Sequence, residues 1–152
     1  MLERRVVLRD HIRLLIALKV RPDQPRLVTE NAITLAEAPY ETGSYVWGLW
    51  DGNIPVGLMA MVHPAQYPWH LDGDDRQAAY LWRLMIGAEF QGRGYGRGAI
   101  GFALEQAHDW GCPRLVASVT DEPHSNIGFY EKLGFRRTGR MPDGEVEIVT
   151  DV

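Results

Sequence analysis

The chain has 152 residues and one cysteine, Cys112, so no disulfide can close within it, and a reducing compartment is the simpler setting. It also lacks a basic excess: 16 lysines and arginines stand against 20 aspartates and glutamates, a net charge of −4. That balance argues against a nucleic-acid partner, which calls for a basic face, and leaves room for a cationic ligand. No apolar run approaches a membrane span, stretches such as 54–62 being the longest, so no membrane partner is expected. The opening MLERRVVLRD turns charged before a signal-peptide core can form. Internal repeats and low-complexity tracts are missing as well. The five histidines, His11, His63, His70, His108 and His124, show no tight ligand spacing, so no metal is expected. Together these absences point to a cytoplasmic protein of one domain, residues 1–152. Its 45% apolar content suffices for a core that needs no staple.

The periodicity along the chain mixes two patterns. Val6 to Arg9 reads as a first strand, and Asp10 as the N-cap of a helix with Ile12, Leu15 and Ile16 on one face. Pro22 and Pro25 break it, and a second helix is predicted from about Arg26 to Ala38, ended by Pro39. Ser44–Trp50 and Ile54–Val62 flank the Asp51-Gly52-Asn53 turn signal and read as an antiparallel hairpin. After a long polar loop, Ala78–Ile86 is the candidate central strand. A helix carrying Ile100, Ala103, Leu104 and Ala107 on one face follows, stopped by Gly111 and Pro113. Leu115–Val119 is a short strand. Pro123 opens a last helix that Gly134 ends, and Phe135–Gly139 pairs with Glu145–Val149 around Pro142-Asp143-Gly144. The sum is an α/β chain of about seven strands and four helices, with one parallel crossover unit in the middle.

Five of the 16 glycines fall between Gly92 and Gly101, at the head of the central helix. Glycines let the backbone curl and let a ligand approach its amides. The first amides of a helix have no internal partner and carry the positive end of its dipole, so an anion such as a pyrophosphate belongs there. A Walker A loop is excluded, because Gly96-Arg97-Gly98 does not supply Gly-Lys-Ser/Thr. A dinucleotide loop matches at Gly94-Tyr95-Gly96-Arg97-Gly98-Ala99, with Asp121 placed for a ribose contact. Its context is poor, because Gly87 to Gln91 separate the strand end from the first glycine.

A third reading comes from resemblance. Gln91-Gly92-Arg93-Gly94-Tyr95-Gly96 is similar to the Gln/Arg-x-x-Gly-x-Gly/Ala signature of the GNAT superfamily of N-acetyltransferases, and Gly87–Gln91 matches the arm that precedes it. A second landmark of that family resembles Phe129-Tyr130-Glu131-Lys132-Leu133-Gly134-Phe135. The resemblance covers Ala78 to Phe135 strongly. It implies a GNAT fold: a mixed, mostly antiparallel sheet with one central parallel strand pair that splays apart. It also implies acetyl-CoA as donor, with its pantetheine arm against the backbone of Leu84, Met85 and Ile86. Gln91, Gly92, Arg93, Gly94, Tyr95, Gly96 and Arg97 would surround the pyrophosphate, and Asn126 and Tyr130 would border the arm. Homodimers are common in the family.

For the chemistry, the resemblance implies direct attack of a neutral amine on a thioester, with Tyr130 as general acid to the leaving thiolate. The chain departs from one common family pattern at Trp82, where some members carry a Glu or His base. Glu41 is the first candidate base, with Glu37 behind it; both also read as surface charges. Tyr80, Trp82, Tyr45 and Trp47, with Glu30, Glu37 and Glu41, are candidates for a pocket that accepts a small cationic amine. The stretches Leu18-Lys19-Val20, Asn31–Tyr40 and Trp82–Ile86 resemble the spermidine/spermine and diamine acetyltransferases, which implies a polyamine acceptor. Two other classes remain open: an acyl-CoA-binding sensor without catalysis, and an NAD-binding protein. Cys112 reads as a buried or idle thiol.

Overall fold

The first strand, β1 (Leu2–Val6), runs earlier than the Val6–Arg9 predicted for it, and the computed structural model describes residues 1–24, 29–122 and 125–152 around it. β1 is an edge strand paired with β2 (Ser44–Asp51), from Leu2 opposite Asp51 to Val6 opposite Trp47. An edge tolerates charge, so Glu3, Arg4 and Arg5 hid it from an apolarity reading. Asp10 caps nothing; it lies in a 3-10 turn, Arg9–His11, that leads into α1 (Ile12–Ile16).

The second helix, α2 (Asn31–Glu37), starts later than predicted, because Glu30 is extended at ψ 144°. Pro25 and the start predicted at Arg26 lie outside the described residues. Pro39 does not end α2 abruptly but sits in a 3-10 turn, Ala38–Tyr40, where a missing N–H costs little. The hairpin of β2 and β3 (Ile54–Val62) forms as its turn signal says, through Gly52 at φ +60°. β4 (Ala79–Ile86), α3 (Tyr95–Asp109), β5 (Arg114–Val119), α4 (Ile127–Lys132), β6 (Arg136–Arg137) and β7 (Val146–Asp151) complete the chain. Pro123 and His124 lie outside the described residues.

All seven strands join one sheet in the order β1-β2-β3-β4-β5-β7-β6. Every neighbouring pair is antiparallel except β4 and β5. One face is covered by α3, whose Ala99, Ile100, Ala103 and Ala107 are buried against Leu49, Met59, Met61, Leu81 and Leu115. Three alanines on that stripe bring the helix axis close to the sheet. The other face carries a smaller cluster of Leu15, Leu58 and Met85 with α1 and α2. Among the described residues no helix is long and apolar enough to cross a membrane.

Glycine stops act alike at both ends of the β5 crossover. After α3, Gly111 (φ +73°) donates to the His108 carbonyl and Cys112 to that of Ala107. After α4, Gly134 (φ +97°) donates to Glu131 and Phe135 to Tyr130. This is the paired 5→2 and 6→1 closure that needs a left-handed residue. The second one turns Phe135 back into the core, with its ring centroid 5.3 Å from that of Tyr130. The Tyr-Glu-Lys-Leu-Gly-Phe run is thus a helix end that presses an aromatic lid onto Tyr130.

Candidate active site

Parallel pairing between β4 and β5 covers three residue pairs, Ala79 with Leu115, Tyr80 with Val116 and Leu81 with Ala117. Beyond them β4 runs on to Ile86 and β5 to Val119 without partnering each other. The parting begins at a bulge. On the β3 side Arg83 faces Ala60 and Leu81 faces Met61, so Trp82 is the extra residue. A bulge bends its strand and re-aims the side chains beyond it. Here it also resets the alternation: Leu84 and Ile86 pack with Leu81 on the α3 side, and Met85 joins Leu15 and Leu58 on the other.

The backbone of β4 is divided in the same way. The Gly87 N–H donates to the Val56 carbonyl at 2.9 Å, while the Ile86 carbonyl accepts from Gln91 Nε2 at 3.0 Å. Antiparallel alternation then turns Met85 toward Leu58, and Leu84 and Ile86 toward the opening. Of the three backbones predicted to meet an extended ligand arm, Leu84 and Ile86 face the gap and Met85 is spent on β3. Gln91 works as a bracket: its amide also donates to Gln24 Oε1 at 3.0 Å, holding the loop arm against the strand end.

The arm ends in a bare cradle. Gly92 and Gly94 have φ of +78° and +86°, and nothing stands within 4 Å of where a Cβ on either would lie. Gly94 caps α3, and the first N–H returned to the helix is that of Gly98, bonded to the Gly94 carbonyl at 3.1 Å. The amides of Tyr95, Gly96 and Arg97 therefore lack intrahelical acceptors. Gly96 has another purpose, since a Cβ there would lie 3.1 Å from Phe129 Cζ. The Tyr95 hydroxyl donates to Asp51 Oδ2, which fastens the head of α3 to the β2–β3 turn and leaves its backbone for a ligand. The Arg93 guanidinium lies 5.7 Å from the Phe90 ring. A cavity of about 340 Å³ runs from this cradle to Leu84, Asn126 and Tyr130, and Arg97 lines it. An anion at the helix head with an extended arm along β4 fits this shape.

A second cavity of about 410 Å³ shares Leu84, Met85, Asn126 and Tyr130 with the first, so the two meet at the parting of the strands. Its walls hold the candidate acceptor residues Tyr80, Trp82 and Glu41, and also Tyr67, Trp69, Arg83, Asp143 and Glu145. Tyr130 is 7% exposed. Burial, and then the neighbouring Tyr80, push its hydroxyl well above the usual phenol range. It therefore stays protonated at any ordinary pH and stands between the cavities as a neutral donor. Tyr80 is hydrogen-bonded with Ser118 on β5.

Several predicted acceptor residues are placed elsewhere. Glu37 pairs with Arg83 at 3.4 Å and lines neither cavity, because the bulge aims Arg83 at α2. Glu30 is exposed and off both walls. Tyr45 stacks on Trp47 and tilts against Trp110 at the end of α3, away from either cavity. Glu41 lines the second cavity, and Tyr67 hydrogen-bonds to it. The acids that sequence reasoning missed lie on the last hairpin, although the spacing of Glu145 and Glu147 at a strand start was a usable sign that both share a face. Cys112 is buried, and burial raises its thiol, as suits an inert core cysteine.

This architecture is widely shared. Three solved structures illustrate it. PaiA N-acetyltransferase from Thermoplasma acidophilum, in complex with coenzyme A, matches with a TM-score of 0.71 at 13% identity over 100% of this chain and 99% of that one. An acetyltransferase from Thermus thermophilus matches with a TM-score of 0.69 at 20% identity over 100% and 97%. A GNAT family acetyltransferase from Elizabethkingia anophelis, with acetyl-CoA bound, matches with a TM-score of 0.63 at 13% identity over 100% and 97%. At such identities the likeness is one of fold. No curated protein matches the chain in sequence. The sequence model of the acetyltransferase (GNAT) family, however, matches residues 11–135, which takes in both cavities' β4 wall, the glycine cradle and Tyr130. The chain belongs to the acetyltransferase (GNAT) family.

Proposed function

We propose that this protein transfers the acetyl group of acetyl-CoA to the primary amine of a small cationic acceptor of the polyamine or diamine kind. The observation that carries the reading is the meeting of two cavities at Tyr130, one headed by unpaired helix amides and the other walled by carboxylates and aromatic rings. When bound, acetyl-CoA supplies an activated thioester acetyl group and a thiol leaving group. The net reaction converts an ammonium and the thioester into an acetamide, a free thiol and one released proton.

The chain's own residues divide the work. Amides of Gly92 to Arg97, with the Arg97 side chain, hold the diphosphate. Each helix-dipole contact contributes only ~0.3–1 kcal/mol, so several must act together. The open backbone of Leu84, with the Ile86 N–H, orients the arm as an added strand does. Tyr130 keeps a proton at Oη beside the junction and donates it to the departing sulfur. Glu41, steadied by Tyr67, and the faces of Tyr80 and Trp82 hold the acceptor's positive charge. The test is thiol release from acetyl-CoA against a panel of amines. Turnover with diamines or polyamines is the expected result; turnover with amino acids or aminoglycosides alone would refute the acceptor class.

The cradle permits a separate check. Gly94 sits at φ +86° with open space around it, so an added methyl group meets only backbone strain. Gly94→Ala is expected to lower stability by about 1–2 kcal/mol through the left-handed penalty and to weaken CoA binding. Thermal unfolding and calorimetric titration with CoA read the two effects.

A further inference from the structure

Building on the acetyltransferase reading, we propose that Glu145, on the hairpin leading into β7, takes the proton from the acceptor's ammonium group. Most carboxylates of the acceptor cavity are already engaged. Asp75 is bound by the Arg114 guanidinium and by the Gln77 N–H. Asp74 is bound by Arg140 at 3.1 Å and by the Leu71 N–H at 2.7 Å. Glu147 accepts from Thr138 at 2.8 Å and from Arg140 at 3.0 Å. Glu41 is engaged by Tyr67. Asp143 is exposed. Glu145 is half-buried, lines the same cavity as Tyr130, and has no hydrogen bond or ion pair to its carboxylate among the described residues. Among the described residues, Glu145 is the one sheltered acid of that wall whose carboxylate has no such partner.

The surroundings of Glu145 suit a proton acceptor. Burial raises its carboxyl above the usual carboxylate range; Arg83 on β4 acts against that, and Asp143 on its own hairpin adds to it. Tyr80 on β4 senses its charge, which places the carboxylate near the ring that borders Tyr130. A raised carboxyl is a stronger base than a surface glutamate. In the step, an N–H bond of the ammonium breaks and an O–H bond forms on Glu145. The electron pair stays on nitrogen, which becomes the neutral nucleophile, and the proton later leaves to solvent.

The sign of the linkage gives a readout that a structural role would not share. A carboxyl whose folded pKa is raised favours the folded state below its unfolded pKa and loses that contribution as pH rises through the folded value. Once ionised, the Glu145 carboxylate is therefore a burden on stability. Glu145→Gln is expected to raise the melting temperature at pH 7 while lowering kcat/KM for an alkylamine by roughly 100-fold or more.

The experiment compares wild type, Glu145→Gln and Glu41→Gln, each with an alkyl diamine and with an acyl hydrazide, whose terminal amine is neutral at pH 7. The expected pattern is a large Glu145→Gln deficit with the diamine that shrinks as pH rises toward the amine's own pKa. It should nearly vanish with the acyl hydrazide. Glu41→Gln should raise KM and keep the pH profile. An equal loss with both acceptors, no loss at all, or the whole pattern appearing in Glu41→Gln would overturn the assignment. If wild type acetylates no amine while still binding CoA, the acetyltransferase reading itself fails, and the assignment with it.

Discussion

Tyr130→Phe is expected to lower kcat by about 10²–10⁴-fold, the range for loss of a general acid, while leaving the affinity for acetyl-CoA nearly unchanged. The ring would stay in place, because its position comes from Phe129 and Phe135, whose centroids lie 5.1 and 5.3 Å away, and from the closure that ends α4. Only the hydroxyl at the junction of the two cavities would go. The pH dependence has a definite sign. Burial raises the Tyr130 pKa, so the stability of the neutral phenol is fully present below pH ~10 and is lost as pH rises through the folded value. The Phe variant has no such loss. It should therefore be slower at neutral pH yet relatively more resistant to alkali than wild type. Steady-state kinetics and melting curves from pH 7 to 11 test both halves. Unchanged turnover would remove Tyr130 from the chemistry.

Gly57→Ala should do comparable damage by another route. A Cβ at Gly57 would lie 2.4 Å from the Met85 carbonyl oxygen, 3.0 Å from Ile86 Cδ1 and 3.2 Å from Leu49 Cδ1. The first of these is backbone in the next strand, so β3 and β4 must separate. Overpacking of this kind costs about 1–3 kcal/mol, and the upper end applies where backbone must yield. For a chain of this size that corresponds to a melting temperature lower by roughly 6–12 °C. The displaced segment is Met85–Ile86, whose neighbour Leu84 borders both cavities, so CoA affinity should fall as well. Gly57 lies far from the glycine cradle in sequence and resembles no motif. A melting temperature within a degree of wild type would show that the strands can part without cost.

These two residues also mark what could be read from the sequence. Tyr130 was legible through the family resemblance of its run, Phe129 to Phe135; the Leu-Gly-Phe ending by itself marks only a helix stop. The cradle was legible because Gln91 to Gly96, ahead of an amphipathic helix, resembles the family signature; the glycines alone read as a turn. The β2–β3 hairpin followed from Asp51-Gly52-Asn53, and the parallel crossover from strand, loop and helix in order. What stayed hidden depended on contacts between distant segments. The bulge at Trp82 is a property of two strands, and no pattern within β4 announces it. With the bulge unseen, alternation along the strands assigned Tyr45 and Trp47 of β2 to the acceptor pocket, and charge alone assigned Glu37. With it, Arg83 turns to Glu37 at 3.4 Å, and the pocket is walled by the loop after β3 and the last hairpin. Glu145 could be singled out only once Arg114, Arg140 and Tyr67 were seen to occupy its rivals. β1 was placed too late in the chain because edge strands carry charge.

The most direct test of the account is a crystal structure with CoA bound. The diphosphate should rest on the amides from Gly92 to Arg97, the arm should run beside Leu84 and Ile86, and the sulfur should lie within hydrogen-bonding reach of Tyr130 Oη. A nucleotide bound elsewhere, or a thiol directed away from Tyr130, would contradict it.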